Sequence, residues 1–290
     1  MAKNKISELD SELIKNYQSG KLAFKELCKI YQVSVGTMYK YFDKFNIKRR
    51  LDIVKDSIKH DFFNFIDNEE KAYILGFYIA DGSISKGDSH QGYKFNIGIS
   101  SLDLELLEKI RTILSPENNI CFSDERINNY GIKTNSMCKL TIFSKEIVET
   151  LDKYGLGENK TYLTKSIKDI VPEELMFHFI RGYFDGDGSI SYSKVSKKHT
   201  TKSDELKIYN YINYNFNIIS LDHNIILEMK TFLQKHNLTV SEYVDKKQCL
   251  TISIHKKSEI ELIFNLLYKN ATIFMNRKYN KFKEILEIPS

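Results

Sequence analysis

The sequence has few prolines, few cysteines and no long apolar run. It contains three prolines in 290 residues and no low-complexity tract, so a linker between domains must be short and partly helical. Its four cysteines, Cys28, Cys121, Cys138 and Cys249, lack C-x-x-C spacing, which favours reduced structural thiols. Neither a signal peptide nor the roughly eighteen consecutive apolar residues of a membrane helix is present. We therefore expect a soluble cytoplasmic protein with no membrane partner.

Apolar residues are abundant enough for folding, and basic charge is concentrated at one end of the chain. Hydrophobic residues make up 42% of the sequence, which at this length suffices for one large domain or two moderate ones. The formal net charge is +5, yet residues 1–50 alone contain eleven Lys and Arg against five acids. Because phosphate binding depends on local charge, this segment is a candidate for nucleic-acid binding.

Three short helices are predicted within the basic segment. Apolar spacing favours helices over residues 8–18, 23–31 and 34–44, with Gly20 after the first helix and Ser34 capping the third. The third helix has an inward set and an outward set of side chains, namely Met38, Tyr41 and Phe42 against Thr37, Lys40 and Lys44. This arrangement resembles a helix-turn-helix, in which the outward face of the recognition helix enters the major groove of DNA.

The resemblance to a helix-turn-helix is incomplete at the turn. That turn favours a residue that tolerates a left-handed backbone, and Gln32 stands there. A small basic three-helix accessory domain is the alternative. Lys48, Arg49 and Arg50 end the segment, and we expect Arg49 and Arg50 to contact DNA unless they belong to a solvated run of charge.

Beyond residue 70 the chain repeats itself. Residues 73–85 (YILGFYIADGSIS) return as residues 179–191 (FIRGYFDGDGSIS), so that Asp187 follows Asp81 by 106 positions. The signals after each copy also repeat: alternating strand residues at 95–103 and 214–222, an amphipathic helix at about 103–114 and 222–235, and Leu-Thr-Ile at 140–142 and 250–252. Each half then ends in a helix and a polar basic patch. The predicted order in each half is αββαββα.

Both repeated motifs are predicted to be helices that end at a glycine. Asp67 or Asn68 can cap the first helix, Pro172 occupies a first-turn position of the second, and Gly82 and Gly188 end them. Small residues lie four apart on one face of each helix, Gly76 with Ala80 and Gly182 with Gly186, which lets the two backbones approach closely. Packing along these faces would bring Asp81 and Asp187 side by side.

Two carboxylates at helix C-termini repel each other and meet the negative end of the helix dipole. A cation must compensate, and Mg²⁺ with metal-assisted phosphodiester hydrolysis is the natural candidate. The paired motifs resemble the LAGLIDADG homing endonucleases over roughly residues 70–285. That resemblance implies that Asp81 and Asp187, together with the preceding Ala80 and Gly186, bind Mg²⁺, with Mn²⁺ as a substitute. The first motif departs from the family at Ile79, where many members carry an acid, but this position is generally not a metal ligand.

The resemblance also implies an α+β fold in which two pseudo-symmetric αββαββα halves form a saddle-shaped antiparallel sheet platform, plus a small all-α helix-turn-helix domain. In the family the polar sheet face lies in the major groove, where Asn can pair with adenine. The candidate DNA contacts on the two sheets and on the connection at 192–213 are Asn96, Ser100, Asn215, Asn217, Lys194, Lys197 and Lys198. Gly98 shares the strand face of Asn96 and Ser100, and Ile219 shares that of Asn215 and Asn217. For any one of the sheet positions, an ordinary solvated sheet face is the alternative.

Family members often place a basic residue near the metals. Strand position favours Lys139, whose partner in the Leu-Thr-Ile alignment is Cys249, so the halves differ there. Lys160 and Lys278, at matching repeat positions, are further candidates. An ordinary surface lysine is the alternative for each of the three.

Together these features predict a monomeric endonuclease that cuts both strands of double-stranded DNA at a long target. The predicted domains are a helix-turn-helix module (1–50), a linker (51–70) and two halves (71–165 and 166–290). The alternative is a non-cleaving nucleic-acid-binding protein of the same fold, either a transcription regulator or an intron maturase. An intein is disfavoured by the Met1 start and the Pro-Ser end. The Lys-, Asn- and Ile-rich composition points to a bacterial or phage origin.

Overall fold

The computed structural model of the protein describes residues 8–87, 92–127, 131, 133–157, 165–200 and 206–288. By contacts the chain divides into two units, Met1–Lys59 with Arg111–Asn119 and His60–Ile110 with Ile120–Ser290. The N-terminal unit therefore includes part of the predicted linker and a segment of the predicted first half. Within the described ranges no helix is both long and apolar enough to cross a membrane.

Four short helices form the N-terminal unit: α1 (Ser11–Gln18), α2 (Phe24–Ile30), α3 (Val35–Lys44) and α4 (Arg50–Ser57). The side chain of Ser34 accepts a hydrogen bond from the Thr37 nitrogen at 3.2 Å, so the predicted cap of α3 forms. Met38 and Phe42 of α3 are fully buried. They join a core that also contains Leu9, Ile14, Tyr17, Leu27 and Cys28.

The turn between α2 and α3 has the left-handed backbone conformation that a helix-turn-helix favours, although glutamine stands there. Gln32 has φ of +52°, although its side chain has no special tolerance for that region. The Val33 nitrogen donates to the Cys28 carbonyl at 3.0 Å, and the Val33 side chain packs against the core. These contacts offset the local cost, which is about 1–2 kcal/mol for a residue of this kind.

The elements from α5 onward form two halves of the same design. The elements of the first half are α5 (Glu69–Asp81), β1 (Gly82–Lys86), β2 (Tyr93–Ser100), α6 (Leu104–Leu114), β3 (Ile120–Ser123), β4 (Arg126–Ile127), β5 (Lys133–Thr134), β6 (Met137–Phe143) and α7 (Lys145–Lys153). Those of the second half are α8 (Met176–Asp187), β7 (Gly188–Thr200), β8 (Leu206–Ser220), α9 (His223–Lys235), β9 (Ser241–Val244), β10 (Leu250–Ile254), α10 (Lys257–Tyr268) and α11 (Asn276–Leu286). The predicted αββαββα order is confirmed, with β4, β5 and α11 as additions.

Each half contains a four-stranded antiparallel sheet. The strand orders are β1-β2-β6-β3 and β7-β8-β10-β9, so corresponding strands occupy corresponding places. On β2 the alternate residues Phe95, Ile97 and Ile99 are buried, as are Phe216 and Ile218 on β8. The side chains between them point to the opposite, open face of each sheet, because strand residues alternate between faces. The predicted α+β fold is confirmed.

Two details of the second half differ from the expectation. Pro172 does not stand in the first turn of α8, because a 3-10 turn at Glu173–Leu175 follows it and α8 begins only at Met176. Of the expected connection at 192–213, the described residues 192–200 and 206–213 are not a link between short strands. They continue β7 and β8, which pair from Gly188–Ile218 out to Thr200–Leu206. Residues 206–214 are rich in apolar and aromatic side chains, which favour strands, and this explains the greater length of β7 and β8.

The motif helices α5 and α8 pack at backbone distance along their small residues. A Cβ on Gly76 would overlap the Phe179 carbonyl oxygen and lie 2.9 Å from the Tyr183 nitrogen. A Cβ on Gly182 would meet the Tyr73 carbonyl in the same way. Both glycines are therefore required by the helix crossing itself, as their spacing predicted.

Candidate active site

Asp81 and Asp187 are the last residues of α5 and α8, and both are exposed. Gly82 and Gly188 follow these acids and have an ordinary extended backbone. Glycine is required at both positions because a Cβ would overlap Tyr78 or Phe184, respectively. Strands β1 and β7 begin at these glycines. The carboxylates therefore lie where each motif helix meets its sheet.

The two helix ends lie close together. A Cβ on Gly186 would overlap the Cβ of Ala80 and stand 3.4 Å from Oδ2 of Asp81. Burial raises the pKa of Tyr183, and the negative charges of Asp187, Asp222 and Asp81 raise it further. Since both carboxylates act on one phenol, the structure brings the two predicted acids into one electrostatic environment.

The donor set at these ends suits a hard, partly hydrated divalent cation. Asp81 and Asp187 offer carboxylate oxygens, and Ala80 and Gly186 are half-buried residues that can offer only backbone oxygens. In the part of the chain that is described, no cluster of three His, Cys, Asp or Glu side chains could hold a metal. An ion here would need water and substrate oxygens to complete its coordination shell, and Mg²⁺ in proteins is usually bound in this way. Metal binding by these residues stays a prediction.

Lys278 at the start of α11 is buried against the C-terminal end of α8. Its Nζ donates to four backbone carbonyls, those of Phe184 (2.6 Å), Asp185 (2.7 Å), Gly186 (3.2 Å) and Gly188 (2.7 Å). The ammonium thus provides a donor for the Asp185 and Gly186 carbonyls at the end of α8 and opposes the negative end of the dipole. The Phe184 carbonyl also accepts from the Gly188 nitrogen.

The electrostatic setting of Lys278 links it to both predicted metal ligands. Burial lowers the pKa of Lys278 to about 8, while the charges of Asp185, Asp81 and Asp187 act in the opposite direction. Part of the cationic compensation that the motifs led us to expect from a metal therefore comes from the protein. Lys160, its predicted counterpart, lies outside the described residues.

Asp185 occupies the motif position where the first copy has Ile79, and it is buried rather than turned toward solvent. Its Oδ2 accepts hydrogen bonds from the Tyr73 hydroxyl at 2.7 Å and the Met275 nitrogen at 2.8 Å. Burial raises the pKa of Asp185 to about 6. The Tyr73 donor lies on α5 and the Met275 donor lies just before α11, so this carboxylate is held in the interior. That it is not a metal ligand stays a prediction.

Strand register revises the expected partner of Lys139. In the first sheet, the motif glycine Gly82 pairs with Ile97, which pairs with Leu140 on the next strand. In the second sheet, Gly188 pairs with Ile218, which pairs with Ile252 on the next strand. Lys139 therefore corresponds to Thr251, and the alignment with Cys249 was wrong by two residues. A shift of two keeps a residue on the same sheet face, which is why sequence periodicity could not detect it. The halves remain asymmetric here, with an exposed Lys against a Thr.

The predicted sheet contacts all lie on the open faces. Asn96 and Asn217 hold equivalent places, Asn96 opposite Ser83 and Asn217 opposite Ser189. Asn96 is only 8% exposed and its Oδ1 accepts from the Thr141 hydroxyl at 2.9 Å, which leaves its amide nitrogen for another partner. The remaining predicted positions on this face are Gly98, Ser100, Asn215 and Ile219.

The three predicted lysines of the extended β7–β8 ribbon are exposed but face two ways. Lys197 pairs with Tyr209 on the same face as the asparagines, whereas Lys194 and Lys198 lie on the opposite face. Sequence reasoning missed the exposed aromatic residues of this ribbon, Tyr209 and Tyr211. Their alternation with asparagine in 209–215 was the available signal.

In the N-terminal unit the predicted contacts separate into two groups. Lys40 and Lys44 of α3 are exposed, and Thr37 is half-buried with its hydroxyl 2.9 Å from that of Ser34. The Arg49 guanidinium lies 4.6 Å from the centre of the Tyr39 ring and donates to Asp43 at 2.8 Å. These side chains line the outer surface of α3.

Arg50 departs from the prediction that it faces DNA. Its guanidinium donates to the Glu117 carbonyl at 2.7 Å, the Asn119 side chain at 3.1 Å and the Gln18 carbonyl at 2.5 Å. The side chain is 16% exposed. Arg50 thus fastens the segment Arg111–Asn119 within its unit, a long-range role that a basic run in the sequence does not reveal.

Comparison with known proteins agrees with this fold. Residues 68–154 match a family model described as a LAGLIDADG-like domain. The structure is similar to the homing endonuclease I-WcaI bound to its DNA recognition sequence, with a TM-score of 0.50 and 17% identity over 76% of this chain and 90% of that one. The fold class is defined by two repeated halves, each of which begins with a motif helix that ends in an acid. The chain carries a LAGLIDADG-like domain and has the fold of the LAGLIDADG homing endonucleases, as its motifs predicted.

Curated relatives share parts of the sequence. DNA-directed RNA polymerase subunit Rpo1C of Methanocaldococcus jannaschii is 27% identical over 214 residues, which are 69% of this chain and 21% of that protein. An uncharacterized protein of the same organism is 22% identical over 84% of this chain and 86% of its own length. The chain spans about a fifth of the polymerase subunit, so polymerase activity does not follow from the similarity.

Proposed function

We propose that this protein is a metal-dependent DNA endonuclease that cuts both strands of a long double-stranded target. The observation that carries the proposal is the pair of exposed carboxylates, Asp81 and Asp187, at the adjoining ends of two helices packed through Gly76 and Gly182. Each acid stands where its own open sheet begins. Two acids for two strands fit a monomer that holds both halves in one chain.

The chain's own residues would divide the chemistry between metal binding and charge compensation. Asp81 and Asp187 would hold Mg²⁺, with Mn²⁺ as a substitute, and the backbone oxygens of Ala80 and Gly186 would assist. The bound ion would supply Lewis-acid stabilisation of the phosphate and a more acidic water. Lys278 keeps the end of α8 in place and contributes positive charge near both acids. Of the two candidate lysines that the structure describes, Lys278 is better placed for this auxiliary role, while Lys139 lies exposed on the open sheet face.

The open sheet faces would supply target recognition. Asn96, Asn215 and Asn217 offer amides of the type that pair with base edges in the major groove. Lys194, Lys197 and Lys198 on the extended ribbon suit phosphate contacts, which add affinity without sequence information. The longer ribbon in the second half predicts a longer footprint on that side of the target.

The N-terminal unit would add a second DNA-binding surface. Left-handed Gln32 supports a helix-turn-helix geometry, and the outer surface of α3 presents Lys40, Lys44 and Arg49 with Thr37 at its start. We assign Arg50 to the interior of the unit instead. Docking of α3 in a major groove would place these basic groups beside phosphates.

A selection from a randomised double-stranded DNA library tests the proposed function. The full chain is incubated with the library and Mg²⁺, new ends are ligated to adapters and sequenced, and a parallel reaction contains EDTA. We expect one family of long related sites cut on both strands, only in the metal reaction. Retention of a specific site in a binding assay without new ends would instead favour the non-cleaving regulator or maturase. Cutting that survives EDTA would remove the metal from the proposal.

A further inference from the structure

A polar cluster centred on Arg181 lies where α5 and α8 pack together. Arg181 of α8 is 0% exposed, and its guanidinium forms an ion pair with Glu69 at the start of α5, at 2.6 Å. The same guanidinium donates to the carbonyls of Ile273 (3.0 Å) and Leu267 (2.5 Å). The cluster therefore joins both motif helices to the segment that leads into α11.

The cluster breaks the symmetry of the repeat. The 106-residue offset between motifs makes Leu75 the counterpart of Arg181, and Leu175 the counterpart of Glu69. Both equivalent positions are thus leucine. The ion pair is therefore specific to one of the two repeats.

Stability is a weak explanation for a buried ion pair. Desolvation of the two charges can cancel their attraction, and well-packed apolar replacements are often neutral or stabilising. A polar pair between two helices is better suited to fixing their register, since any slip leaves a buried charge without its partner. Here the register of α5 against α8 sets the relative position of Asp81 and Asp187.

The cluster also reaches the end of α8 through the segment before α11. Glu69 Oε1 accepts from the Thr272 nitrogen at 2.8 Å, and Asp185 Oδ2 accepts from the Met275 nitrogen at 2.8 Å. Three residues later Lys278 binds the carbonyls at the end of α8. A shift at Glu69 would therefore be transmitted to the helix end that carries Asp187.

We infer that Glu69 and Arg181 are positioning residues that align the two carboxylates so that both DNA strands are cut in one binding event. The inference rests on the proposed nuclease function. Misplacement of a reacting group by about 1 Å can cost on the order of 100-fold in rate, so a small slip suffices to uncouple the two cuts. Neither residue is expected to touch DNA or metal.

The test is cleavage of a supercoiled plasmid bearing the selected target by the double variant Glu69→Leu/Arg181→Leu. This variant places leucine at both positions, as the other repeat does, and it is expected to melt below the wild type, because the Ile273 and Leu267 carbonyls and the Thr272 nitrogen lose their partners. Cleavage is therefore compared below its melting temperature. We expect the first nick to persist and the second cut to slow by about tenfold or more, so that nicked plasmid accumulates. Glu70→Leu is the matched control, because it removes an acid from the same first turn of α5; its nicked-to-linear ratio should equal that of the wild type.

Each outcome decides the matter. A folded double variant with the wild-type nicked-to-linear ratio overturns the inference and leaves the nuclease intact. A wild-type protein that cuts no DNA in Mg²⁺ overturns the proposed function and the inference with it. If the double variant does not fold, Glu69→Gln, which keeps the hydrogen-bond acceptor and the shape, takes its place. An unchanged ratio in that variant overturns the inference, and a raised ratio supports it.

Discussion

The hydroxyl of Tyr73 donates a 2.7 Å hydrogen bond to Oδ2 of Asp185, and the two residues belong to different halves of the repeat. Both side chains are buried. The other oxygen of Asp185 is buried without a hydrogen-bond partner in the described structure. The Tyr73 bond and the Met275 bond therefore satisfy this carboxylate through one oxygen, and the Tyr73 bond crosses the interface on which the candidate site is built.

Removal of this bond should weaken the fold. Tyr73→Phe deletes the donor and leaves Asp185 with the bond from the Met275 nitrogen, so we expect a loss of about 1–3 kcal/mol in the free energy of unfolding. Urea titration followed by circular dichroism measures it. Tyr192→Phe removes a hydroxyl that donates to exposed Glu284 and should cost below about 0.5 kcal/mol. Equal losses in both variants would contradict a special role for the Tyr73 bond.

The glycines at the helix crossing should tolerate no side chain. Gly76→Leu or Gly182→Leu forces the α5 and α8 backbones apart, and we expect destabilisation by about 3 kcal/mol or more, or failure to fold. Thermal melts provide the measurement. Gly98→Ala is the control, because its nearest neighbour to an added Cβ lies 3.9 Å away. An unchanged melting temperature in the leucine variants would show that the glycines do not face the opposite helix.

Loss of either motif acid should separate cleavage from binding. Asp81→Asn or Asp187→Asn removes a proposed metal ligand while both side chains are exposed, so we expect no double-strand cleavage and binding within about threefold of wild type. Gel shifts and plasmid cleavage on the selected target measure the two properties. Exposed Asp61→Asn should keep both. Undiminished double-strand cutting by either motif variant would contradict the assignment of Asp81 and Asp187 as metal ligands.

The candidate lysines should differ in their effect on cutting. Lys278→Met removes the ammonium that four carbonyls share, and we expect a fall in cleavage rate of about 100-fold or more at saturating DNA, together with a lower melting temperature. Lys139→Met should change the rate less and leave the melting temperature unchanged, because Lys139 is exposed. Rates are compared below the melting point of both variants. A larger loss of rate in Lys139→Met would transfer the auxiliary role to the open sheet face.

The outer surface of α3 should contribute to the salt dependence of DNA binding. Each phosphate contact adds about 0.9 to the slope of log K against log salt, so Lys40→Ala/Lys44→Ala should make the slope shallower by about 1.8. Fluorescence anisotropy at several salt concentrations measures it. Point variants are preferable to deletion of residues 1–50, since Arg50 binds the segment Arg111–Asn119. Lys15→Ala/Lys21→Ala, in α1 and the following turn, should keep the wild-type slope, and equal slopes in all three proteins would remove α3 from the interface.

The sequence by itself determined the repeat and the arrangement that the repeat imposes. Two copies of one motif, each followed by the same strand and helix signals, determine two halves of the same order and place Asp81 and Asp187 at equivalent helix ends. The small residues at 76, 80, 182 and 186 determine which faces meet. The three N-terminal helices also come from local signals, namely apolar period and the Ser34 cap. All of these depend on near neighbours in the chain, which is why pattern alone suffices.

Only the tertiary structure decided the features that depend on distant partners. Lys278 meets the end of α8 some ninety residues away, Arg181 pairs with Glu69 in the other half, and Arg50 turns inward to Glu117. The two-residue error at Cys249 arose because a shift of one strand period keeps the face and changes only the cross-strand neighbour. Gln32 takes a left-handed backbone because the packing of Val33 outweighs its own preference. In each case the deciding energy comes from contacts between segments, and these are absent from the local sequence.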